Sequence, residues 1–139
     1  MTKSKIVSVA EDYTVKLWDI HEKNLSTEGR FIEEDLDNIP ISISKIENDP
    51  NNFMLLFENN SLKYYDTRLH NPCVNTLQMP FGTTAAVFDD YNDRIIALHH
   101  NSLSFFEKSG ESITTAKLKG FQKFSAFQKI CHLLFIGIF

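Results

Sequence analysis

The stretch "EDYTVKLWDI", Glu11 to Ile20, lies within a few residues of the start of the chain. It joins a polar turn, Glu11-Asp12-Tyr13, to a short run that closes on Trp18-Asp19. β-branched and aromatic residues following a polar cluster read as the second strand of a hairpin. The same pattern recurs. "IVSVAEDYTVKLWD" from residue 6, "FMLLFENNSLKYYD" from 53 and "RIIALHHNSLSFFE" from 94 align without a gap. Each copy has an apolar run, a polar turn and a hydroxyl residue (Thr14, Ser61, Ser102), followed by an aliphatic one (Val15, Leu62, Leu103). A polar residue comes next (Lys16, Lys63, Ser104), then a large apolar one (Leu17, Tyr64, Phe105). An aromatic (Trp18, Tyr65, Phe106) and an acid (Asp19, Asp66, Glu107) complete the motif. The closing acids are spaced by 66 − 19 = 47 and 107 − 66 = 41 residues.

Each copy therefore predicts a hairpin turning at Asp12-Tyr13, Asn59-Asn60 or His100-Asn101. Further strand-like runs lie between the hairpins. "ISISKI" (41–46) precedes the turn "ENDPNN", "AAVF" (85–88) precedes "DDYND", and "FSAF" (124–127) precedes "QKI" and then "HLLFI". "VNTLQM" (74–79) and "SITTAKL" (112–118) supply an outer strand. The expected fold class is all-β, in antiparallel four-stranded units of about 40 residues. "FMLLF" and "HLLFI" are apolar on both faces, as in sheets covered on both sides.

A four-stranded unit at this period, ending in Trp-Asp, resembles a blade of the WD-repeat β-propeller family. The resemblance rests on "SVAEDYTVKLWD", with weaker copies at "ENNSLKYYDTR" and "HHNSLSFFEKSG", and extends over nearly the whole chain. The family's Gly-His pair before the first strand is missing; only "FGTT" at 81 and "KGFQ" at 119 stand nearby. The resemblance implies a divergent, partial propeller with about two full and two partial blades. Residues 1–32 form an incomplete first blade, 33–79 the second, 80–118 the third and 119–139 the start of a fourth. It makes Asp12, Trp18, Asp19, Tyr65, Asp66, Phe106 and Glu107 the structural residues of the repeat. The chain is then a fragment completed by something else, or the product of a truncated or disrupted gene with no independent function.

Composition agrees with a packed domain. Of 139 residues, 42% are hydrophobic and twelve are phenylalanine, enough for a core. The net charge is −4 and the basic residues are scattered, which argues against a nucleic-acid-binding face. Cys73 and Cys131 are far apart, and "MTKSKIVSVA" is no signal peptide, so an intracellular setting, cytoplasmic or nuclear, is expected. The glycosylation-type triplets at Asn24 and Asn59 need a secretory route and carry no weight in that setting. The apolar end "ICHLLFIGIF" is about half the roughly 20 residues of a spanning helix and reads as a buried strand, with no membrane partner.

Catalysis finds no support. His99 and His100 are adjacent on a strand, point to opposite faces and cannot chelate one ion together. The cysteines lack CxxC spacing, and Cys131-His132 sits inside a predicted core strand. No phosphate-binding glycine loop, paired-carboxylate motif or nucleophile elbow occurs. No enzyme activity, cofactor or metal is expected.

The reading that remains is a non-catalytic scaffold for unidentified protein partners. Two surface features bear on it. The acidic run "EEDLDN", with Glu33, Glu34 and Asp35, is suited to a basic peptide, although such runs are commonly just solvated loops. Arg68 follows the closing acid of the second copy in "YYDTRLHNP". In some WD-repeat proteins an Arg so placed contacts the adaptor of a cullin ubiquitin ligase; more often it pairs with blade carboxylates. Finally, "KIVSVA" and "HLLFIGIF" would be uncovered strand edges in an isolated fragment, a route to self-association.

Overall fold

The computed structural model describes the backbone of residues 5–19, 30–33, 37–118, 126–130 and 133–137, and side chains within 6–18 and 37–118. Every regular element among them is a β-strand, and all pairings are antiparallel. The chain divides into two compact units, Met1–Pro40 and Ile41–Phe139.

The first unit holds one three-stranded sheet of β1 (Lys5–Val9), β2 (Val15–Asp19) and β3 (Arg30–Glu33), in that order. From its boundary onward, the second unit holds two four-stranded meanders. One runs β4 (Pro40–Lys45), β5 (Asn52–Phe57), β6 (Ser61–Asp66), β7 (Cys73–Gln78). The other runs β8 (Thr83–Asp89), β9 (Arg94–His99), β10 (Ser102–Glu107), β11 (Ser112–Lys117). A hairpin of β12 (Ala126–Ile130) and β13 (Leu133–Gly137) follows. Gln128–Ile130, expected as a turn, thus lie inside β12, paired with Phe135, Leu134 and Leu133.

Sequence pattern explains which strands lie inside. β5 and β9 carry unbroken apolar runs, Phe53 to Phe57 and Ile95 to Leu98, all of them buried. The outer strands β7 and β11 are polar and almost wholly exposed. One core cluster joins the two meanders: Ile46, Met54, Leu56, Leu62 and Met79 with Ala86, Phe88, Ile95, Ala97 and Phe106. A second, of Ala85, Ile96, Leu98 and Leu103, covers the other face of the β8–β11 sheet. Burying a side chain of this size contributes about 1.5–3 kcal/mol, so these clusters are the main source of stability.

The repeat columns coincide with repeated backbone detail. In the first two hairpins the residue two before the motif's hydroxyl folds back on it. Asp12 Oδ1 accepts from Thr14 N (3.1 Å) and Thr14 Oγ1 (2.7 Å); Asn59 Oδ1 accepts from Ser61 N (3.0 Å) and Ser61 Oγ (2.7 Å). These are Asx turns, in which a short polar side chain replaces a backbone acceptor. The next residue in each, Tyr13 (φ 64°) or Asn60 (φ 63°), is left-handed. The third hairpin differs: Ser102 pairs with His99, leaving a two-residue connection with His100 left-handed (φ 51°). In both meanders the outer strand takes an extra residue opposite the motif aromatics, Val74 at Tyr64/Tyr65 and Ile113 at Phe105/Phe106. A bulge bends an edge strand away from straight pairing, a recurrent way to blunt an edge.

Candidate interaction surface

Because each meander runs up and down, its connections alternate between two ends. Cross-sheet bonds show which turns share an end. The β4–β5 turn meets the β8–β9 turn where Asn48 N donates to Asp90 Oδ1 (3.1 Å) and Asn48 Nδ2 to the Asp90 carbonyl (3.4 Å). At the opposite end, the β5–β6 turn meets the β7–β8 turn. There Asn60 Oδ1 accepts from the N–H groups of Gly82 (3.1 Å) and Thr83 (3.2 Å).

The first end is charged. Arg68 lies in the β6–β7 turn, and its fork closes on Asp66: Nε donates to Oδ1 (2.8 Å) and Nη2 to Oδ2 (2.7 Å). Nη2 also reaches Asp49 Oδ2 (3.0 Å), in the β4–β5 turn. Asp49 in turn accepts from Asn51 N (3.1 Å) and Asn52 Nδ2 (2.8 Å). The hydrogen bonds from Arg68 hold the Asp66 carboxyl below the usual carboxylate range, and Asp66 raises the guanidinium further. A bidentate fork is the strongest arrangement open to this pair. The third repeat builds a lesser version. Asp89 Oδ2 accepts from Asn92 Nδ2 (2.7 Å) and Arg94 Nε (3.1 Å), and Oδ1 from Tyr91 N (3.3 Å). Partial burial pushes Asp89 up, but the bonds from Asn92 and Arg94 outweigh it and its pKa is lowered.

The second end holds the turns 58–60, 79–82 and 100–101, with Glu58 in the first, and the exposed Lys117 stands there opposite Ser102, where Leu118 N donates to the Asn101 carbonyl (2.8 Å). Phe81 stands at the tip of the β7–β8 turn with 83% of its surface exposed. Beneath it the turn is tightly bonded: Thr83 Oγ1 and Thr83 N both donate to the Pro80 carbonyl (2.6 and 3.2 Å). Gly82 adopts φ +77°, and a Cβ there would come within 2.7 Å of the His100 ring. His100 lies 6.4 Å from Phe81, ring centre to ring centre, and 6.4 Å from His99. His99 Nε2 is 2.7 Å from Ser104 Oγ, which is 2.6 Å from Thr115 Oγ1. A His–Ser contact is the first half of a nucleophilic pair, but Ser104 is 2% exposed and its hydroxyl also binds Thr115. This chain ties three strands together and presents nothing to a substrate. Burial, and secondarily His100, holds His99 below its ordinary pKa.

The other residues singled out from sequence have local places. Asp12 is an exposed turn acceptor whose pKa is lowered chiefly by the Thr14 hydroxyl. Trp18 Nε1 donates to Ser8 Oγ (2.7 Å) across β1 and β2. Asp19 ends β2, its backbone opposite Lys5, and Glu33 ends β3 opposite Val15. Tyr65 is fully buried and stacked on Phe53, 5.0 Å apart and 4° from parallel. Phe106 belongs to the inter-sheet core, and Glu107 is exposed with its N–H bonded to the Glu111 carbonyl. Glu34, Asp35 and Cys131 lie outside the described residues. Among the described residues, Asp66 and Arg68 are brought together by a mutual bond. Asp49, Phe81 and the His99–Ser104–Thr115 chain escaped the sequence reading. "DP" and "PFG" mark turns, but no sequence signal tells that one turn's acid meets another's arginine.

Among the described residues, no group of three His, Cys, Asp or Glu side chains is placed to hold a metal ion. No helix among them is long and apolar enough to cross a membrane. Comparison with family models and with curated proteins finds no match to this sequence.

Proposed function

We propose that the chain is a segment of a WD-repeat-type β-propeller that acts, inside the cell, as a non-catalytic scaffold for protein partners. The observation that carries this reading is the recurrence, in two four-stranded meanders, of the motif strand (β6 and β10) and of a bulge opposite its aromatics in the same sequence columns. Sheets that repeat in this way bury their faces on one another and leave variable turns at both ends, where binding residues are free to diverge. Contact with a ligase adaptor through Arg68 is the less favoured use of the surface, because the guanidinium would first have to leave Asp66 and Asp49. Proximity labelling in cells tests the scaffold reading, with the chain compared to a Tyr65→Ala variant whose core is broken. A scaffold enriches a reproducible set of proteins that the variant loses. Identical labelling by the two would show that the folded chain recruits nothing and would favour a product with no independent function.

A further inference from the structure

We infer that the free edge of β1 is a docking site for an extended segment of a partner protein, which adds antiparallel to β1 and completes a four-stranded sheet. This rests on the scaffold reading and adds which edge is used and what sequence fits it. Pairing across the hairpins gives β1, β5 and β9 the same place in their sheets. Ile6 lies opposite Trp18, Phe53 opposite Tyr65 and Ile95 opposite Phe106. β5 is paired on both sides, by β4 and β6, and so is β9, by β8 and β10. Among the described residues, β1 pairs with β2 alone. Its side chains are also less covered. Ile6 is 50% exposed, against 4% for Phe53 and 0% for Ile95, and Ser8 is exposed where its counterparts Leu55 and Ala97 are buried.

The other edges of these sheets are guarded and this one is not. A row of free N–H and C=O groups invites another strand, and edges are blunted by bulges or by proline. β3, β7 and β11 each take an extra residue opposite the motif strand, at Val15/Lys16, Tyr64/Tyr65 and Phe105/Phe106. β8 shifts register between Thr83 and Ala85, and β4 opens on Pro40. β1 has neither device: Lys5 to Val9 run opposite Asp19 to Val15 without a shift. The strands that fill the equivalent edges define the partner's sequence. β8 sets Ala85, Ala86, Val87 and Phe88 opposite Leu98, Ala97, Ile96 and Ile95. Carried to β1 through the hairpin pairs, these four stand opposite Val9, Ser8, Val7 and Ile6. Ala86 and Phe88 are buried, and Ser44 in β4 and Ile46 just after it repeat that pair. The segment that fits is therefore a small residue, a spacer and a large apolar residue. Main-chain hydrogen bonds supply affinity in such strand addition, and alternate side chains supply specificity.

A synthetic peptide with the sequence of Thr83–Asp89, added to the full chain and followed by amide hydrogen exchange, tests this. Alternate amides within Lys5–Val9 should exchange at least tenfold more slowly, those of β7 and β11 should be unchanged, and a scrambled peptide should protect none. Only every second N–H of an added strand faces its neighbour. N-methylation of one alternate set in the peptide should therefore weaken binding at least tenfold, and of the other set less than threefold. The chain itself is unaltered throughout, so misfolding does not enter. Protection on β7 or β11, equal losses from both methylated sets, or no protection at millimolar peptide overturns the inference and leaves the scaffold reading to its own test in cells. Protection of β1 that grows with chain concentration in the absence of peptide also overturns it, by making a second copy the occupant. Peptide binding at β1 by a chain that recruits nothing in cells would sustain the edge as a strand-accepting site and sink the scaffold reading.

Discussion

The two ends of the paired meanders solve the same problem, closing tight turns between strands, with opposite chemistry. At one end, carboxylates and guanidinium groups are used: Asp66 and Asp49 on Arg68, Asp89 on Arg94, and the Asp90 carboxylate on the Asn48 N–H. At the other, neutral side chains do the work: Asn59 on Ser61, and Asn60 on Gly82 and Thr83. The difference shows that a conspicuous charge can belong to turn architecture: Arg68 and Arg94 are held by carboxylates of the chain itself. Charges drawn into turn architecture are spoken for, whereas a turn built from amides can hold an apolar side chain out in water.

The sharpest contrast compares two aromatics. Tyr65→Ala removes a fully buried ring stacked on Phe53 and should cost about 3–5 kcal/mol. Phe81→Ala should change stability by less than about 0.5 kcal/mol, as surface substitutions usually do. Urea denaturation of both variants checks this; a large loss for Phe81→Ala would mean that its ring is packed. A smaller effect is expected at the turn beneath Phe81. Asn60→Ala places an alanine in the left-handed region and removes the acceptor of two N–H groups, for a loss of about 2 kcal/mol. Asn60→Gly relieves the backbone strain alone and should recover about half of that loss.

Acid separates the two ends by pH window. The folded pKa of His99 is lowered, so the unfolded chain binds more protons and stability falls as pH drops below about 6.5. The lowered pKa values of Asp66 and Asp89 give stability that is present above about 3.9 and lost as pH falls through their folded values. Thermal midpoints measured against pH should therefore decline in two stages, and His99→Gln should remove the first. A single stage near pH 4 in the unmodified chain would show that His99 is not part of a pH-sensitive core. The smallest effect is reserved for Arg68→Ala. Its side chain is 54% exposed, so the thermal midpoint should drop only slightly at low salt, and the difference should shrink in high salt.

Hairpins, their turns and the apolar central strands were legible because they depend on residues close in sequence. The alignment of "FMLLFENNSLKYYD" with "RIIALHHNSLSFFE" places β6 and β10 in the same columns as the structure does, while β5 and β9 differ by one residue because the third hairpin turns more tightly. The place of Gln128–Ile130 within β12 was not, because three residues with little turn character take their state from the strand they pair with. Arg68 was legible as a surface residue beside Asp66, two positions away. Its bond to Asp49, nineteen positions away, was not.

What the sequence by itself determined is therefore local. It set the repeat, the all-β class, the polar turn at the head of each hairpin, and the apolar strands that must be covered on both faces. Alternation, β-branching and Asx chemistry act over a few residues and leave their mark in the string of letters. The tertiary structure alone decided which carboxylates are consumed by which arginines, that His99 reaches Thr115 through Ser104, and that Phe81 is left exposed while Phe57 and Phe88 are buried. Those outcomes depend on which turns meet when two sheets stack, and a phenylalanine in the sequence carries no record of what the folded chain places above it.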